Sequence, residues 1–148
     1  PSFGPERRGA PVIAFARVSG EPIRLRTAVR NPSLVIVLDP SLLRLVPVAD
    51  GMVEGGTLVV NSPLTAGELR KKYGFRGRLA VVDANHIARE EIGRVITNTT
   101  MLGAAMRAVP LVGAEQLEQA IRNRFGRIAD RNLNAFRRAL EQCRVDEG

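Results

Sequence analysis

Three short apolar runs, each ending in a polar residue beside a turn, constrain the fold of this chain most strongly. A strand that is apolar on both faces must be covered on both sides, which is typical of a parallel sheet between two layers of helices. Helices predicted after the second and the third run alternate with the strands as βαβ units require. The sequence therefore predicts an α/β fold with a Rossmann-like, open, mostly parallel sheet flanked by helices. The runs are SLVIVLD at 33–39, GTLVVN at 56–61 and RLAVVD at 78–83.

Local signals set the ends of the predicted helices. Thr65 and Glu68 have the spacing of a capping box, and Gly74 stands where a left-handed residue ends a helix. The C-terminal part is predicted to be helical, and either Asn98 or Thr99 can cap the first of its helices. The expected helices span 65–72, 85–92, 99–108, 115–125 and 128–143.

Two further apolar runs of strand length lie near the start of the chain. They are Ala10–Val18 and, after a Gly-Glu-Pro turn, Ile23–Leu25. We expect two neighbouring strands, or one strand and an edge. A chain of 148 residues with 45% hydrophobic residues fits a single domain over 1–148. The apolar runs are far shorter than the roughly 18 residues that cross a bilayer, so no membrane partner is expected.

Few residues suit catalysis or metal binding. The single cysteine, Cys143, offers no disulfide, and together with an opening that shows no secretory leader it favours the reducing cytoplasm. We interpret Cys143 as a structural residue near a helix end, and the lone histidine, His86, as a surface residue of a helix. No nucleotide or nucleophile fingerprint is present. We therefore predict no catalytic residue and no metal site in this chain.

Polar residues end the three central runs. Asp39, Asn61 and Asp83 occupy the positions that line the ligand crevice of open α/β sheets. Such residues also cap helices and satisfy turns, and that interpretation is favoured here.

The opening PSFGPERRGAP is better explained by binding than by chance. It combines glycines and prolines with a charged trio, so it cannot propagate a regular helix or strand but can hold a rigid loop that presents guanidinium groups. Such a loop suits a phosphate or a carboxylate, including one on another protein. The candidate residues are Gly4, Pro5, Glu6, Arg7 and Arg8.

A second candidate is TNTTMLG at 97–103, where polar residues introduce a helix. The N-terminus of a helix favours an anion, although a plain cap is the commoner explanation. Asn98, Thr99 and Met101 are the candidate residues of this segment.

The net charge is +7, and residues 1–30 alone carry six Arg and two Glu. A basic N-terminal segment attracts nucleic acid, anionic cofactors or an acidic protein equally well. Aromatic residues that could stack on bases are scarce, with no Trp, one Tyr and five Phe. Nucleic acid is therefore a weak alternative.

At these two segments the sequence resembles the γ subunits of pyruvate and related 2-oxoacid:ferredoxin oxidoreductases, and the resemblance extends over essentially the whole chain. In that family the opening follows a Gly-rich strand-turn-helix unit that this chain lacks, so the γ-type domain is expected to be N-terminally incomplete. The matching stretches are PSFGPERRGAPVIAFARVS at 1–19, VIVLDPSLL at 35–43, EGGTLVVNS at 54–62, VVDANHIA at 81–88, NTTMLGA at 98–104 and NLNAFRRALE at 132–141.

The resemblance implies an accessory subunit of an enzyme that decarboxylates a 2-oxoacid, transfers its acyl group to coenzyme A and passes electrons to ferredoxin. Thiamine diphosphate, Mg and the [4Fe-4S] clusters are then expected on the partner α, β and δ subunits, since one cysteine cannot hold a cluster. The ERRGAP form resembles the pyruvate and branched-chain enzymes more than the 2-oxoglutarate ones, and pyruvate is the substrate we expect.

For this chain, the resemblance and the basic N-terminal segment together suggest coenzyme A binding at Arg7, Arg8, Asn98 and Thr99. The alternative is that the loop with Arg7 and Arg8 docks on a neighbouring subunit. A stand-alone coenzyme- or nucleotide-binding module is the main alternative.

Overall fold

The computed structural model describes residues 11–25 and 27–148, and a four-stranded sheet lies at its centre. The first three strands run in parallel, whereas the fourth pairs antiparallel with the third. The predicted open, mostly parallel α/β sheet is thus confirmed. In their order across the sheet the strands are β1 (Leu34–Val37), β2 (Thr57–Asn61), β3 (Arg78–Val82) and β4 (Arg144–Asp146).

Six α-helices surround this sheet in the described residues. The five predicted helices are confirmed to within one residue at each end, while the short α1 and strand β4 were not predicted. A 3₁₀ turn at Gly126–Ile128 joins the last two helices. The helices are α1 (Leu42–Leu45), α2 (Ala66–Tyr73), α3 (Ala84–Ile92), α4 (Asn98–Ala108), α5 (Ala114–Phe125) and α6 (Ala129–Gln142).

Both faces of the sheet are covered because successive side chains of a strand point to opposite sides. Leu58 and Val60 pack in a core that also contains Leu69 of α2. Val59, between them, packs in a second core formed with α3, α4 and α6. All five residues of β2 are buried, as expected for a central parallel strand.

The local signals at α2 are confirmed, but the predicted cap of α4 is wrong. Thr65 and Glu68 form the capping box, and Gly74 adopts the left-handed conformation at φ 71°. At α4 the N-cap is Thr97, which makes no side-chain cap hydrogen bond. Asn98 and Thr99 lie inside the helix instead.

The strands predicted at Ala10–Val18 and Ile23–Leu25 are also wrong in their described part. Residues 11–25 form no strand and lie exposed, although their sequence has strand propensity. A strand is stabilised by its neighbours in a sheet, and no described segment pairs with this one.

The unpredicted β4 is held by two arginines from elsewhere in the fold. Arg70 donates to the carboxylate of Asp146 at 2.6 Å and to the carbonyl oxygen of Gly77 at 2.7 Å. Arg78 contacts the carboxylate of Glu147 at 3.0 Å. Because β4 is only three residues long, these contacts help to fix the edge of the sheet.

None of the helices described over 11–25 and 27–148 combines the length and apolarity that a transmembrane helix needs.

Candidate functional site

The polar residues at the carboxyl ends of the strands are used within the fold. The carboxylate of Asp39 accepts a hydrogen bond from the backbone of Ser41 at 2.8 Å, and that of Asp83 caps α3 through the backbone of His86 at 2.9 Å. These contacts confirm that both residues satisfy a turn or a cap, the interpretation that the sequence favoured.

Asn61, at the carboxyl end of β2, is fully buried, and its side chain is hydrogen-bonded on several sides. Its amide nitrogen donates to the carbonyl oxygen of Leu38 at 2.7 Å and to the side-chain oxygen of Asn85 at 2.9 Å. Its own oxygen accepts from the backbone of Ala84 at 3.0 Å. Asn61 therefore ties the end of β1 to the start of α3, and its bonding groups are not free for a ligand.

The first turn of α4 points mostly into the protein. Thr99 and Thr100 are buried, and Met101 is 1% exposed and belongs to the core between the helices and the sheet. Only Asn98 among the predicted residues of this segment is exposed, and its side-chain oxygen accepts from the backbone of Thr99 at 2.9 Å. A ligand at this helix start would meet Asn98 and the backbone, not the side chains of Thr99 and Met101.

The direction of α4 follows from a contact at its other end. Arg78, the first residue of β3, donates to the carbonyl oxygen of Ala108 at 2.5 Å. The C-terminal end of α4 therefore lies at the amino end of that strand. Its N-terminus, with Asn98, is directed toward the carboxyl ends of the strands, where Asp39 and Asn61 lie.

A series of hydrogen bonds between buried polar side chains joins the start of α4 to the start of α6. The hydroxyl of Thr99 donates to the side-chain oxygen of Asn132 at 2.9 Å, and Asn132 donates to the carbonyl oxygen of Ile128 at 3.0 Å. Sequence reasoning missed Asn132, because an asparagine among the polar and charged residues of an Arg-rich helix has the pattern of an exposed residue.

The predicted opening site lies outside the described residues. Gly4, Pro5, Glu6, Arg7 and Arg8 all belong to this part, so the structure does not test their roles. The apolar side chains that follow are largely exposed, with Val12 at 74% and Leu25 at 67%. Arg17 contacts the carbonyl oxygens of Thr27 at 2.6 Å and Ala28 at 3.2 Å.

Charged residues of the helical part pair across elements. Arg137 of α6 contacts Glu118 of α5, and this hydrogen bond lowers the pKa of Glu118. Arg138 contacts Glu91 at 2.9 Å and Glu90 at 2.6 Å, which ties α6 to α3 and raises the pKa of Arg138. Part of the charge on the helical part therefore links helices.

The lone cysteine and the lone histidine differ in their surroundings. Burial raises the pKa of Cys143 to about 11, so its thiol stays protonated at neutral pH and is a poor nucleophile. His86 is exposed and lies 3.4 Å from Glu90 on the same helix. Within the described ranges no group of three or more His, Cys, Asp or Glu side chains is arranged to hold a metal ion.

Comparisons with known proteins agree on one family. The family described as pyruvate ferredoxin/flavodoxin oxidoreductase matches residues 1–142. The common subunit gamma of the pyruvate/ketoisovalerate oxidoreductases of Thermococcus litoralis is 46% identical, over 99% of this chain and 80% of that protein. Pyruvate synthase subunit PorC of Thermotoga maritima is 43% identical, over 99% of this chain and 79% of that protein.

A solved structure is also similar. The crystal structure of the pyruvate oxidoreductase subunit PORC from Thermotoga maritima superposes with a TM-score of 0.74 at 41% identity. The match covers 80% of this chain and 67% of that one.

Proposed function

Because this chain belongs to the pyruvate ferredoxin/flavodoxin oxidoreductase family, we propose that it is the γ-type subunit of an enzyme that oxidises a 2-oxoacid, with pyruvate as the favoured substrate. The observation that carries the proposal is the match to γ subunits along 99% of the chain at more than 40% identity. In this role 1–148 acts as one γ-type domain of a cytoplasmic assembly.

The chain's own residues support an accessory role. A [4Fe-4S] cluster needs four thiolates, and these 148 residues contain one buried cysteine, so they do not fit such a cluster. The clusters are therefore assigned to partner subunits. On the family resemblance, thiamine diphosphate with its Mg and the contact with ferredoxin are assigned to the α, β and δ partners as well. Thiamine diphosphate supplies the decarboxylation chemistry there, while this chain contributes interface and positive charge.

Purification of the assembled enzyme tests this function. The chain should co-purify with other subunits, and the complex should reduce a viologen dye when pyruvate and coenzyme A are added. Omission of pyruvate is the control, and a panel of other 2-oxoacids identifies the preferred substrate. A lone protein that binds coenzyme A without partners would instead support a stand-alone module.

Within this function we assign the opening loop to coenzyme A. The phosphates of coenzyme A are anionic, and residues 1–30 carry a net charge of +4 from six Arg and two Glu. Arginine binds phosphate oxygens in a bidentate manner. Asn98 and the backbone at the start of α4 offer further donors, with Thr99 and Met101 holding the helix in place from inside the protein.

Replacing Arg7 and Arg8 together by Ala should raise the KM for coenzyme A by about tenfold, because two charge-assisted hydrogen bonds are lost. The KM for pyruvate should stay unchanged. Steady-state kinetics of the assembled complex measure both constants, and an Arg44→Ala/Arg76→Ala variant removes the same charge elsewhere. An unchanged KM for coenzyme A in an intact complex would assign the loop to the subunit interface.

A further inference from the structure

The junction of α5 and α6 carries four exposed arginines and one exposed apolar residue. We call it the basic corner: Arg122, Arg124, Arg127 and Arg131, with Ile128 at 56% exposure among them. We propose that the basic corner is a docking surface for a carboxylate-rich face of another chain in the same assembly. This inference rests on the proposed function, since it requires an assembly.

The first argument is that the corner's charge is not neutralised within the described chain. Residues 122–131 hold four Arg and one Asp, and that Asp130 pairs only with Arg122, at 3.4 Å. None of the carboxylates in the described ranges forms a salt bridge with Arg124, Arg127 or Arg131.

Other arginines of α6, in contrast, are paired within the chain. Arg137 and Arg138, one or two turns further along α6, each have a carboxylate partner. Arg127 lies in the 3₁₀ turn and Arg131 in the first turn of α6. Like charges that lie close together repel each other, and a partner that supplies carboxylates would offset this repulsion.

The second argument is that the corner is held in place from within. The buried Asn132 binds the carbonyl oxygen of Ile128 and the hydroxyl of Thr99 of α4. The backbone between Arg127 and Arg131 is therefore fixed before any partner binds. A preorganised surface loses less conformational entropy on association.

The composition fits a protein partner better than a nucleic acid. Interfaces between proteins combine an apolar centre with a polar rim and are enriched in arginine. The basic corner has the same composition, with the apolar Ile128 and four arginines. Proteins that bind single-stranded nucleic acid stack its bases on aromatic side chains, and these are scarce here, with no Trp, one Tyr and five Phe in the chain.

Charge reversal in the assembled enzyme tests the proposal. The Arg127→Glu/Arg131→Glu variant should bind the other subunits at least about tenfold more weakly at low ionic strength, because buried or rim charge pairs become repulsive. The difference should shrink at 1 M salt, where the screening length falls to about 3 Å. Sedimentation velocity over a concentration series measures the affinity. The control, Arg44→Glu/Arg76→Glu, changes the same charge at exposed positions elsewhere.

A second variant separates docking from a structural role. Arg127→Ala/Arg131→Ala should leave the melting temperature of the full chain unchanged or higher, since repulsion is removed, while still weakening assembly. A lowered melting temperature with a matching loss of assembly would make the corner structural and overturn the proposal.

The remaining outcomes also decide. Assembly unchanged by charge reversal overturns the docking surface and leaves the proposed function standing, whereas a wild-type chain that never assembles overturns both. If charge reversal abolishes binding to a 20-base-pair duplex and leaves assembly intact, the corner binds nucleic acid and the proposal is wrong.

Discussion

Replacing Gly103 by valine is expected to lower the free energy of unfolding by about 3–5 kcal/mol, the range of severe core changes. Gly103 lies where α4 crosses α6, and a Cβ atom there would overlap the carbonyl oxygen of Phe136 and lie 3.2 Å from the Cβ of Ala139. The obstacle is backbone, which cannot rotate away as a side chain can. The two helices must separate, and the core around Phe136 must open with them.

Urea unfolding followed by circular dichroism measures this loss. Gly67→Ala is the matched control, because Gly67 lies in the exposed part of helix α2 and a Cβ there meets nothing within 4 Å. That change should stabilise the protein by about 0.5–1 kcal/mol, since alanine is the better helix former. If Gly103→Val is no more destabilising than an ordinary surface substitution, α4 and α6 are not in close contact at this point.

The close approach at Gly103 shows what sequence patterns leave out. The pattern predicts α4 as a helix, and its boundary at Ala108 is confirmed. It does not show which helix crosses which, because that depends on residues far apart in sequence. From the sequence alone, a glycine inside a helix is expected only to lower the stability of that helix. Here Gly103 permits the close contact with α6.

The sequence predicted those strands whose own side chains are apolar enough to form the core of the sheet. The runs that contain β2 and β3 are apolar on both faces, and these strands take the two inner positions of the sheet. The equally apolar run that contains β1 lies at the edge instead, with Ile36 40% exposed. Strand β4 is charged and short, and it exists because Arg70 and Arg78 hold the residues that follow α6. Residues 11–18 show the reverse, since strand propensity without a neighbouring strand produced no strand.

The candidate site was predictable only in outline. The sequence placed polar residues at the carboxyl ends of the strands, and the structure shows Asn61 bonded there on three sides. It also marked the start of α4 as a site for an anion, but the same apolar spacing that makes the helix buries Met101 in the core. Periodicity identifies a helix more readily than it identifies the first-turn side chains that stay exposed.

Changing Asn61 to aspartate should make the stability of this fold depend strongly on pH. The amide nitrogen of Asn61 donates to two oxygens, those of Leu38 and Asn85, and a carboxylate oxygen would face both of them. Burial and this repulsion favour the protonated acid and raise its folded-state pKa above the unfolded value of about 3.9. At pH 7 the variant should lose about 3–5 kcal/mol of unfolding free energy, because a buried charge is left unpaired.

The sign of the pH effect distinguishes a buried charge from a simple loss of contacts. An acid whose folded-state pKa is raised destabilises the fold most above that pKa, so the deficit of Asn61→Asp relative to wild type should shrink as the pH falls from 7 toward about 4. Asn61→Ala removes the same hydrogen bonds without adding a charge, and its deficit should not change with pH in this range. Denaturant unfolding of the three proteins at pH 4.5, 6 and 7.5 measures both trends. Equal pH dependence of the two variants would mean that water reaches position 61, and that this edge of the sheet is open enough for Asn61 to contact a ligand directly.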